Sequence, residues 1–118
     1  MTIKGNVTIS EQIPSFSNAE LHVFLQDIGR MDAPATVLRK ITVPDISHQH
    51  GERDRVAFTM TFDERNSTNP HPRYNLRAHV DKAGNAEVDK GDLVTTQSYP
   101  VDLDAPEAEY EIEVKEVR

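Results

Sequence analysis

An all-β, two-sheet antiparallel sandwich of about seven strands is the fold this sequence predicts, and three observations carry the prediction. Apolar residues recur at every second position in seven short runs separated by Gly, Pro, Asn and Asp. All seven prolines fall between those runs or at their ends, where no ladder needs a backbone donor. The one helix-compatible stretch, Ser15 to Glu20, is too short to build on. Strands with one buried face each cannot make a stable single sheet, so two sheets must pack face to face. The 118 residues predict one domain spanning 1–118, and at 13.3 kDa about two-thirds of the chain's surface can be buried.

The elements follow in order. Ile3, Gly5, Val7 and Ile9 share one parity and form the first run. Leu21, Val23 and Leu25 form the second, ending at Asp27, whose carboxylate is expected to accept backbone N–H bonds in the following turn. Val37, Ile41 and Val43 make the third, with Arg39 as an exception on the inward parity. Val56, Phe58, Met60 and Phe62 alternate cleanly, as do Tyr74, Leu76, Ala78 and Val80. Ala83-Gly84-Asn85 reads as a hairpin turn. Leu93 to Tyr99 is a weaker sixth run. In the seventh, Tyr110, Ile112 and Val114 alternate with Glu109, Glu111, Glu113 and Lys115, a solvated acidic face. Asp45 to Arg55 and Asp63 to Arg73 read as two long polar loops.

Composition excludes several classes. Apolar runs reach only three residues and the mean hydropathy is -0.60, which leaves no membrane span. The absence of Cys removes a disulfide framework, thiol catalysis and Cys-ligated zinc, and no lipid anchor is expected in the chain as written. The net charge of -7 is concentrated after Pro100, where seven acids meet two bases. No basic stripe exists to neutralise phosphates, so no nucleic-acid partner is expected. The N-terminus has no basic n-region or apolar stretch, so the chain as written is expected in the cytoplasm, or in the periplasm or envelope if a leader has been removed.

Candidate chemistry is sparse. His48 and His50 flank Gln49 in a polar loop, and a metal site there would need further ligands from Asp45, Glu52, Asp54 or His71. No G-x-S-x-G elbow, calcium loop or Gly-rich phosphate cradle is present. The Asn6 and Asn66 sequons read as chance matches. The expectation is a chain with no catalytic residues, no cofactor and no metal, with His48, His50 and His71 the weak exception. On the second run's parity Phe24 and Ile28 point outward, and Leu38 opposes Val37, Ile41 and Val43. These three residues are the expected partner surface.

Three blocks resemble one bacterial family. Leu21-His22-Val23-Phe24-Leu25-Gln26-Asp27-Ile28, running on to Asp32-Ala33-Pro34-Ala35, is similar to an L-x-V-x-L-x-D … D-A-P-A stretch of YscW-type lipoproteins. Pro72-Arg73-Tyr74-Asn75-Leu76-Arg77-Ala78 resembles that family's R-Y-x-L-R-A strand, and Tyr99-Pro100-Val101 its Y-P-V. The family joins type III secretion pilotins with YbaY-like proteins of unassigned role. The resemblance implies a small β-sandwich without catalytic residues and, in the pilotin branch, a periplasmic factor that escorts an outer-membrane secretin. The sequence departs from the family in having no lipobox Cys and in its acidic C-terminal strand.

The functional expectation is therefore a non-catalytic YbaY/YscW-type domain that serves protein interaction, self-association or envelope and secretion assembly. A small-ligand or carbohydrate-binding module is the alternative, and a metal-dependent protein built on the His loops comes third.

Overall fold

The alternating runs fold into two sheets, in a computed structural model that describes residues 2–29, 34–63, 72–85, 87–102 and 108–118. The strands are β1 (Thr2–Ile9), β2 (Phe16–Asp27), β3 (Thr36–His48), β4 (Asp54–Thr61), β5 (Tyr74–Asp81), β6 (Leu93–Val94), β7 (Tyr99–Pro100), β8 (Glu109–Glu113) and β9 (Lys115–Glu116). One sheet has the order β4-β1-β8; the other runs β3-β2-β5-β6-β9, with β7 also paired to β5. Between them lie inward residues of the predicted runs, including Ile3, Val7, Leu21, Leu25, Phe58, Leu76 and Ile112, while of the third run Ile41 and Val43 are only partly buried against this core. Each fully buried Leu, Ile or Phe contributes about 1.5–3 kcal/mol through removal from water.

The sandwich holds nine strands among the described residues, where about seven were expected. Two runs are divided. Leu93 to Tyr99 bends after β6 and resumes as β7, because Thr95–Ser98 carry no alternating apolar set. The last run changes sheets: β8 pairs with β1, β9 pairs with β6, and Val114 sits fully buried at the crossing. The β1–β8 pair is also parallel, an exception to the antiparallel expectation. The turn at Gly84 forms, but the next strand waits until Leu93, so β5 and β6 are joined by a longer loop than a hairpin.

The stretch from Asp45 to Arg55 is mostly strand rather than loop, since β3 runs to His48 and β4 starts at Asp54. What hid this is a pair of offset bulges. The β2–β3 register passes from Phe16↔His48 to Ala19↔Ile46 and then to Leu21↔Val43. One extra residue on β2 is thus followed by one extra residue on β3, and the two cancel. Asn18 (φ 57°) and Asp45 (φ 58°) occupy the left-handed region there, which their short polar side chains tolerate. Pro44 is admissible beside such a bulge on β3, whose one partner among the described residues is β2.

A third bulge corrects the parity of β3. Leu25↔Arg39 is followed by Gln26↔Val37, which leaves Leu38 as the extra residue. Its insertion turns Val37 outward, 50% exposed, and turns Leu38 inward against the core.

Candidate functional site

The three sequence blocks meet at one end of the β2–β5 ladder. Asp27 closes β2 opposite Tyr74, the first residue of β5. Its Oδ1 accepts the Gly29 N–H at 2.8 Å and the Arg73 N–H at 3.1 Å, so one carboxylate ties the end of the first block to the start of the second. The Ile28 N–H donates to the Arg73 carbonyl at 2.9 Å. The third block joins through the Val101 N–H, which donates to the Tyr74 carbonyl at 3.0 Å, and the Tyr99 N–H, which donates to Asn75 Oδ1 at 2.8 Å. Behind this junction Tyr74 packs edge-on against Phe62, ring centres 5.5 Å apart.

On the junction lies a cleft of about 280 Å³ lined by Ile28, Pro72, Arg73, Tyr74, Ser98, Pro100 and Val101. Its wall is mainly apolar, with Arg73 and Ser98 as the polar members. The volume sits at the lower limit for sites that enclose a small organic ligand, and it suits one or two side chains of a docked chain.

The structure separates the three residues expected to form a partner surface. Ile28 lines the cleft. Phe24 lies further along β2 on the outer face of the large sheet, between Lys40 of β3 and Arg77 of β5 in register. The Arg77 guanidinium is 4.6 Å and the Lys40 ammonium 5.8 Å from its ring centre, so cations cover this ring. Leu38 packs against the core, as the bulge dictates.

Beyond Phe24 the same outer face carries a polar cluster. Register places Glu20 beside Asp81, His22 beside His79, and Thr42 of β3 beside His22. His22, His79, Asp81 and Asp92 are all buried. His79 Nε2 pairs with Asp92 Oδ2 at 3.0 Å, and Asp92 also accepts the N–H groups of Lys82 and Asp89. Burial pushes the Asp92 carboxyl up, but the bonds from His79 and from the two backbone N–H groups outweigh it and hold the pKa below the usual value. Asp81 Oδ1 accepts the Gly84 N–H at 2.9 Å. His22 Nδ1 meets Thr42 Oγ1 at 3.0 Å, while its Nε2 has no hydrogen-bond partner. Burial, helped by the charges of Lys40 and His79 and opposed by Glu20 and Asp81, lowers the His22 pKa.

The sequence does not mark this cluster, since His48 and His50 form its one closely spaced histidine pair. His48 lies on β3, not in a loop, and both its ring nitrogens are engaged: Nδ1 with Asp54 Oδ2 at 2.5 Å and Nε2 with the Ile13 carbonyl at 3.1 Å. His50 is exposed, its N–H donating to Ser15 Oγ. His71 lies outside the described residues, as do Asp32 and Ala33 of the first block and the Asn66 sequon. The signal that could have found the cluster is Glu20-Leu21-His22 on one run and His79-Val80-Asp81 on another. Each puts two ligand-type residues on the outward parity of a strand already recognised.

The fold is a two-sheet β-sandwich in which strand ends gather around a small, mainly apolar cleft. The chain belongs to the YscW family: the family model described as type III secretion system lipoprotein chaperone (YscW) matches residues 1–114. Among solved structures it is similar to an alternative pilotin from the type II secretion system of Vibrio cholerae, with a TM-score of 0.62 and 28% identity over 98% of this chain and 96% of that one. Comparison with curated proteins finds no match. No helix among the described residues is long and apolar enough to cross a membrane.

Proposed function

We propose that the chain is a non-catalytic accessory factor of envelope or secretion assembly, which holds a segment of a protein partner at the cleft lined by Ile28, Tyr74, Pro100 and Val101. The observation that carries this reading is convergence. The three blocks by which the sequence resembles its family lie far apart in the chain, and their backbones are bonded to one another at this cleft. Family membership and likeness to a pilotin support a partner from the secretion or outer-membrane machinery, with a secretin as the first candidate. An apolar side chain of that partner would enter beside Ile28 and Pro100. Arg73, exposed at the rim, would take an acid or a chain-terminal carboxylate.

The carbohydrate-module alternative draws less support. Such modules present flat aromatic rings to solvent, and each of the seven aromatic side chains here is buried or half-buried. The test is co-purification of the tagged chain with the secretin of its own host. Ile28→Asp should reduce capture at least tenfold and leave the melting temperature within a few degrees of the parent. Undiminished capture by that variant would remove the cleft from the account.

A further inference from the structure

The outer face of the large sheet carries an arrangement that hydrogen bonding alone leaves incomplete. His22 Nε2 is buried, unpartnered, and aimed between two carboxylates, 3.6 Å from Glu20 Oε2 and 3.7 Å from Asp81 Oδ2. A proton on Nε2 would bond to neither oxygen at those distances. A larger cation would reach all three groups. We propose that Glu20, His22 and Asp81 form a zinc site.

Geometry selects the ion. Zinc lies about 2.1 Å from imidazole nitrogen and carboxylate oxygen, so separations of 3.6 and 3.7 Å subtend about 120° at the metal. That angle is near tetrahedral and far from the 90° of an octahedral magnesium or manganese site. The three ligand atoms lie within 4.8 Å of one another, and Glu20, the most exposed of the three, can adjust to close the set. Water would fill the fourth position on the Glu20 side, which is also the path of entry.

The supporting shell is in place. Thr42 Oγ1 holds His22 Nδ1, and the Gly84 N–H holds the other oxygen of Asp81, as orienting groups do around ligating side chains. The neighbouring group of His79, Asp81 and Asp92 is a poorer candidate, because His79 Nε2 is already bonded to Asp92.

Calorimetric titration of chelator-treated protein with zinc chloride tests the proposal. One zinc per chain should bind with a dissociation constant below about 1 µM. His22→Gln should abolish binding, Glu20→Gln should weaken it about tenfold or more, and His50→Ala should leave it unchanged. Because Glu20 is half-exposed, its variant reads the site even if the His22 variant fails to fold. Cobalt(II) should give the intense visible bands of a tetrahedral complex, absent in the Glu20 variant. Affinity weaker than about 10 µM in the parent, or full affinity in both the His22 and Glu20 variants, would overturn the proposal.

Discussion

The Gly5 backbone approaches that of Tyr110 so closely that a methyl group on Gly5 would lie 2.1 Å from the Tyr110 carbonyl oxygen. This contact is what lets β1 take β8 as a parallel neighbour while β4 pairs on its other side. The obstructing atom is backbone, so it cannot swing aside. Gly5→Ala is expected to lose about 3 kcal/mol or more in urea unfolding, the upper range for overpacked sites. A loss under about 1 kcal/mol would show that the two strands can part without consequence.

The offset bulges make a second prediction. Asn18 and Asp45 are exposed, so their side chains add little packing and their value lies in the backbone angles they accept. Asn18→Val and Asp45→Val should each destabilise by about 1–2 kcal/mol, while Asn18→Gly should stay within about 0.5 kcal/mol of the parent. Equal effects of Val and Gly at position 18 would contradict the left-handed assignment.

Acid titration reads the Asp92 cluster. The folded pKa of Asp92 lies below its unfolded value, so its contribution to stability is complete above the unfolded value. It is lost as pH falls from about 4 through the folded pKa. Urea midpoints measured from pH 6 to pH 2.5 should therefore fall more steeply for the parent than for Asp92→Asn. Parallel curves would assign the acid sensitivity to other carboxylates.

Phe24 should couple energetically to Arg77. In a double-mutant cycle of Phe24→Leu and Arg77→Met, the coupling should be about 0.5–1 kcal/mol, the range for a guanidinium over a partly exposed ring. Coupling indistinguishable from zero would leave the ring held by packing alone.

Much of the fold was legible because a buried strand face writes itself as period-two alternation. Ile3 to Ile9, Val56 to Phe62 and Tyr74 to Val80 all face the core as read. The family blocks were legible as well, and Asp27 accepts the N–H of Gly29 just after β2, as its position suggested. What alternation could not convey is a one-residue insertion. Leu38 and Val37 exchange faces because of a bulge that no residue type announces, and Asn18 and Asp45 look like ordinary loop residues until their φ angles are known. His22 and His79 escaped notice for a different reason. A polar residue on an outward parity reads as solvated, and only the pairing of β2 with β5 shows that neighbouring strands and the loop after β5 bury them.

The β2–β5 ladder runs through eight unbroken pairs, from Glu20↔Asp81 at one end to Asp27↔Tyr74 at the other. At the usual rise per residue those ends stand about 23 Å apart, beyond the distance at which substitutions ordinarily couple. The ladder also has no partial displacement open to it, since a slip of one residue would turn its whole apolar face to solvent. If both proposed sites are occupied, the ladder would therefore act between them as a spacer rather than as a transmitter. Occupancy of one end should leave affinity at the other unchanged, and a partner segment at the cleft and an ion at His22 can be present on the same molecule at the same time.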